Sequence, residues 1–189
     1  MREFLKKNFA LALAFALPVV LIVSIALSTH LPALFLSTKY NFVYTSCTDS
    51  TGRYLYRCYD YLQERYSVVN GRIVVTPNSL VENSDKNYKN KGYIVRIFLH
   101  DTKKNESQEI TLEKAQTFLL NKLLTSPDGV TISSDYNRET TFSFLFGSSK
   151  SYDGYYLTKG KRKKKLNLIN SDTLYQSFQL LGWVLPDRK

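Results

Sequence analysis

Hydrophobic positions follow two regimes along this chain. From Phe9 to Ser28 they are nearly continuous, FALALAFALPVVLIVSIALS, with no charged residue inside. Beyond residue 39 they come in short runs that alternate with polar positions and are broken by Gly, Pro, Asn and Asp. The first regime predicts a helix of about twenty apolar residues, the length that crosses the roughly 30 Å hydrocarbon core of a bilayer. Pro18 lies in its middle, where membrane helices tolerate proline better than soluble ones do. The second regime predicts one small α+β domain, with a mostly antiparallel sheet and one or two helices.

Within that domain, Tyr40, Phe42 and Tyr44 alternate with smaller or polar residues and predict a strand. Arg53–Arg57 alternates in the same way. Cys58, Tyr61, Leu62, Arg65, Tyr66 and Val69 recur at helical spacing, which predicts a short helix across residues 59–66. Asn70-Gly71 between β-branched runs predicts a two-residue hairpin across 68–75, because both turn positions need positive φ. Residues 76–91 are polar and read as a loop. Tyr93–Leu99 is almost all apolar and reads as a central strand covered on both faces, with a short return strand at 107–110. Thr111 is a suitable N-cap for a helix over Leu112–Leu124. Strands are then expected at 130–133, 141–146, 155–158, 166–169 and 178–185.

The flanks of the apolar segment set its direction. Arg2, Lys6 and Lys7 precede it against Glu3, while Lys39 is the only basic residue in the first twenty that follow it. The side richer in Lys and Arg stays cytoplasmic. The expected layout is a cytoplasmic flank at 1–8, a transmembrane signal anchor at 9–28, a juxtamembrane linker at 29–38 and an extracytoplasmic domain at 39–189. The expected location is the cell membrane, single-pass, with the N-terminus inside. The rival reading is a cleaved secretory signal, for which Ala26-Leu27-Ser28 offers small residues; the apolar run is longer than an ordinary signal core.

Composition refines this layout. The net charge is +10, but six positive charges fall within residues 159–165: Lys159, Lys161, Arg162, Lys163, Lys164 and Lys165. The basicity is therefore local. A loop carrying it, the expected turn between strands 155–158 and 166–169, suits anionic lipid headgroups or surface polymers. Nearby Tyr152, Tyr155 and Tyr156 offer stacking or interfacial contacts. Solvated charges that keep a hairpin from aggregating are the competing explanation. Nucleic acid is not the expected partner, because the anchor places the tract outside. Cys47 and Cys58, the two cysteines, are expected to pair there, closing a loop worth roughly 3 kcal/mol in the chain-entropy model.

Catalytic signals are weak. Cys47 or Cys58 with His100 is the one available thiol–base pairing. Sortases, the membrane-tethered cysteine transpeptidases, are similar in general layout but carry their nucleophile late in the chain in a T-L-x-T-C setting, whereas Cys47 opens the domain. His100-Asp101 reads as a surface histidine at a strand end. Metal-site spacings and phosphate-binding glycine loops are absent from the sequence. Ser126-Pro127-Asp128-Gly129-Val130-Thr131-Ile132-Ser133-Ser134 resembles the opening of a blade in TolB-type β-propellers, which implies repeated blades of about 40 residues; it occurs once, without an internal repeat, and reads as a turn. No cofactor and no enzymatic activity is expected. The expected function is a membrane-anchored extracytoplasmic binding or structural module whose partners are the bilayer and an anionic lipid or polymer surface. The alternatives are an accessory subunit docked on a membrane protein partner, or a secreted protein after signal cleavage.

Overall fold

Seven consecutive buried residues, Phe42–Thr48, form strand β1 and the middle of the protein. The description comes from a computed structural model and covers residues 8–34, 36–48, 58–77, 92–136, 152–160, 162–169 and 177–186. The expected strands at 53–57 and 141–146, most of the 76–91 loop, and Lys161 fall outside the described residues.

The elements are α1 (Phe9–Leu34), β1 (Phe42–Thr48), α2 (Cys58–Arg65), β2 (Tyr66–Val69), β3 (Arg72–Val75), β4 (Ile94–Asp101), β5 (Glu106–Ile110), α3 (Leu112–Gln116), β6 (Leu119–Asn121), β7 (Thr131–Tyr136), β8 (Tyr152–Lys159), β9 (Arg162–Lys165) and β10 (Phe178–Leu185). They make a small α+β domain with antiparallel pairing throughout the described strands. The main sheet has the order β5-β4-β1-β10-β6; β2-β3 and β7-β8-β9 form two smaller sheets.

Side chains on a strand alternate between faces, and β1 is covered on both. Phe42 and Tyr44 join Phe98, Phe178, Trp183, Val130, Ile132 and Leu157 in one cluster, under the β7-β8-β9 sheet. Val43 and Cys47 join Cys58, Leu62, Ile73, Ala115, Leu120 and Leu181 in another, under α2, α3 and the β2-β3 hairpin. Cys47 and Cys58 are disulfide-bonded with their Cα atoms 6.1 Å apart, which fastens α2 to β1. Asn70 and Gly71 both have positive φ, 50° and 76°, as the hairpin requires. Gly182 lies where β6 crosses close to β10: an added Cβ would fall 2.6 Å from the Asn121 carbonyl oxygen.

Four sequence expectations need correction. The helix after Thr111 stops at Gln116 instead of Leu124. Thr111 does cap it, accepting from the Lys114 N–H, but Arg72 donates to the carbonyls of Gln116 and Thr117 and closes it after five residues. Leu119–Asn121 then pairs with Trp183–Leu185. The strand covered on both faces is β1, not residues 93–99, because Ile94 and Arg96 of β4 are exposed. Residues 166–169 are not a strand. The Asn167 and Ile169 N–H groups donate to Asn105 Oδ1 and the Tyr44 hydroxyl, so side chains replace a ladder there. The basic tract, instead of forming the turn, contributes β9, which pairs residue by residue with Tyr156–Lys159 of β8.

Helix α1 has 26 residues and continues through positions 29–34, expected as linker. At 1.5 Å per residue it is about 39 Å long. All side chains described over Leu13–Ile25 are exposed, and the large hydrophobic ones among them are 48–72 % exposed. Ser24, the one polar side chain in that stretch, donates to the Val20 carbonyl one turn back.

Candidate functional site

Of the 159–165 tract, Lys159, Arg162, Lys163, Lys164 and Lys165 gather towards an edge of the three-stranded sheet. Strand β9 is the outer strand there, and it is in contact with α1. Pairing with β8 puts Lys163 opposite Thr158 and Lys164 opposite the buried Leu157, so consecutive basic side chains project to opposite faces of the strand. Lys159, Arg162, Lys163 and Lys165 are exposed and Lys164 is half-buried. The Lys165 stem runs over Gly154, within 3.3 Å of where a Cβ would sit. Of the tyrosines expected to assist, Tyr155 turns inward, its ring 4.1 Å from that of Phe178.

This edge is tied to the chain leaving α1. Leu36 is buried in the core beneath the β7-β8-β9 sheet. Asp128 accepts from the Thr38 hydroxyl at 2.9 Å, the Lys39 N–H at 3.1 Å and the Ser126 hydroxyl. Burial pushes the Asp128 carboxyl up, but the hydrogen bonds from Ser126, Lys39 and Thr38 outweigh it and hold the group below the usual carboxylate range. The Lys159 ammonium donates to the Asp128 carbonyl at 2.7 Å. From the other side, the Thr102 hydroxyl is within bonding distance of the Thr38 and Tyr40 carbonyls. Residues 36–40, expected as the end of a linker and the start of a strand, are therefore built into the domain. The S-P-D-G segment is the turn its composition predicted, with Gly129 at φ 80° and the Ser126 N–H donating to the Val130 carbonyl.

His100 is not at the surface. It is fully buried on the Phe42 face of the main sheet, stacked on Phe42 at 4.7 Å, with Nδ1 2.8 Å from Ser107 Oγ. Its Nε2 has no partner among the described residues. Burial lowers its pKa to about 4, against smaller upward effects of Asn105 and Asp101 and a downward one of Lys164. Such a neutral imidazole is a weak base, and among the described residues no carboxylate reaches its far nitrogen. Cys47 and Cys58 are joined to each other and present no thiol. Among the described residues no cluster of three or more His, Cys, Asp or Glu side chains comes together.

What the arrangement can do is electrostatic and hydrophobic. It presents a basic edge strand and, beside it, a helix whose side chains over Leu13–Ile25 are exposed. Among the described residues no helix is long and apolar enough to cross a membrane; the consecutive side chains described on α1 number thirteen, from Leu13 to Ile25. The charge run was legible in the sequence, whereas its placement beside α1 depends on the Asp128 contacts, for which no sequence signal exists. No protein-family model, curated protein or solved structure matches the chain.

Proposed function

We propose that the protein is a single-pass, N-in membrane protein in which α1 anchors a small α+β domain outside the cytoplasm, and that the β8-β9 hairpin binds an anionic surface there. The observation that carries this reading is an apolar helix exposed over Leu13–Ile25 with a basic edge strand in contact with it. Thirteen consecutive exposed side chains, apolar except for Pro18 and Ser24, make a surface that water disfavours at roughly 25 cal/mol per Å². A bilayer removes that cost, and Phe9–Ser28 supplies the uncharged length for it. The bond from Ser24 to its own helix satisfies its hydroxyl without water. A basic strand next to the helix then stands near headgroup level, where each Lys or Arg is worth about 1 kcal/mol against an anionic surface.

The anchor is tested by alkaline extraction and protease accessibility in intact cells. The chain should stay with the membrane and the domain should be cut only from outside; extraction into the soluble fraction refutes it. The binding is tested with the full chain in neutral-lipid nanodiscs mixed with anionic liposomes. Capture should weaken steeply with salt and be lost when Lys159, Lys161, Arg162, Lys163, Lys164 and Lys165 are all changed to Ser. Unchanged capture overturns the role of the hairpin.

A further inference from the structure

An exposed apolar pair stands apart from α1. Leu123 and Leu124 follow β6 and are 61 % and 62 % exposed. Their backbone is held. The Leu123 N–H donates to Asn121 Oδ1, and the Leu124 carbonyl accepts from Trp183 Nε1 at 3.2 Å and from the Ile132 N–H at 3.3 Å. The two side chains are therefore presented outward from a fixed loop. Lys122 before them and Thr125 after them are exposed as well.

Their position is set by the contacts already described. The Ser126–Gly129 turn begins two residues after Leu124, and its Asp128 binds Thr38 and Lys39, just beyond the end of α1. The same Asp128 binds Lys159 at the turn end of the basic hairpin. Leu123-Leu124, the exit of α1 and the basic hairpin thus share one end of the domain, where Lys39 and Lys159 are exposed and both are bonded to Asp128.

We propose that Leu123 and Leu124 insert into the interfacial region of the bilayer that holds α1, forming a second apolar contact that fixes the tilt of the domain on the membrane. This rests on the anchor reading above. The occupant is lipid: the loop lies near the helix exit, and the exposed Lys39 and Lys159 there complement anionic headgroups. An apolar contact combined with basic residues is the two-signal arrangement that membrane-surface binding requires. Single rings or side chains of this kind in water need no explanation; a rigid pair at the helix exit is a different case.

The test uses the full chain in vesicles containing anionic lipid, with an environment-sensitive fluorophore on Leu124→Cys and, separately, on Val74→Cys of β3, an exposed control. The native cysteines are already bonded and stay unlabelled. The label at 124 should shift to the blue and be quenched by bromine placed high in the acyl chains; the label at 74 should not. Replacing Leu123 and Leu124 together by Ser should leave the chain membrane-bound by alkaline extraction but make the domain's protease-cleavage rate rise several-fold. If α1 resists extraction while the label at 124 reports water, this proposal is overturned and the anchor stands. If the chain is extracted and the label reports water, both fall. If the chain is extracted yet the label is quenched, the loop contact is supported on its own and only the anchor falls.

Discussion

Acid should destabilise the domain through His100, before Asp101 and Asp128 respond. The perturbation is a drop from pH 7 to pH 5. In the folded state the group has a pKa of about 4, because it is buried against Phe42; in the unfolded chain the value is about 6.5. A base whose pKa is lowered by folding takes up its proton preferentially in the unfolded state. The stability it permits is therefore complete above about pH 6.5 and is lost as pH falls towards the folded value near 4. Linkage gives a loss of about 2 kcal/mol at pH 5 and about 3 kcal/mol at pH 4. Asp101 and Asp128, both held below the usual carboxylate range, act beneath this window. The assay is urea unfolding of the full chain in neutral detergent, followed by the emission of Trp183, the single tryptophan, which is fully buried and packs edge-on to Phe42. The midpoint should fall by about 1 M urea between pH 7 and pH 5. His100→Phe should abolish that difference. A wild-type midpoint flat across this range, or an equal drop in His100→Phe, would refute the assignment.

Other consequences follow from the same packing. Reducing the Cys47–Cys58 bond, or changing both residues to Ser, should cost about 3 kcal/mol and release α2 from β1, seen as a lower thermal midpoint and faster amide exchange in Tyr61 and Leu62. Gly182→Ala should cost about 1–3 kcal/mol, because the new methyl meets the Asn121 carbonyl and pushes β6 away; an unchanged midpoint would show that the two strands do not approach as described. Asp128→Ala leaves the buried Thr38 hydroxyl and the Lys39 N–H without their acceptor, a loss of about 1–3 kcal/mol, and the Lys39 amide should exchange faster. Its carboxylate supports the fold only above its lowered pKa, so Asp128→Asn should narrow the gap to wild type as pH falls below about 4.

The parts legible in the sequence were those decided by neighbours along the chain. Asn70-Gly71 announced its hairpin because the turn needs two positive φ angles and those residue types supply them. Thr111 announced a helix start for the same kind of reason. The helix end was not legible, since it is set by Arg72, more than forty positions earlier. His100 looked like a surface residue at a strand end, and it is Phe42, brought opposite by strand pairing, that buries it. The leucines of 166–169 have the right alternation for a strand, but Tyr44 and Asn105 take the backbone N–H groups that a ladder would use. For the basic tract, composition revealed the charge; its position beside α1 followed only from the fold.

The central strand also sets the order in which the protein can be completed. Strand β1 is the earliest of the sheet and needs two partners, one of which, β10, carries Trp183 opposite Phe42. At a synthesis rate of roughly 5–20 residues per second, the interval between those two residues is on the order of ten seconds. Until β10 arrives, Phe42, Val43 and Tyr44 have an open edge, and the sheet cannot close around its own middle. The domain is therefore a late-closing one, dependent on a long-range contact that slows folding. Of the strands in the main sheet, β1 is therefore the one that waits longest for a neighbour.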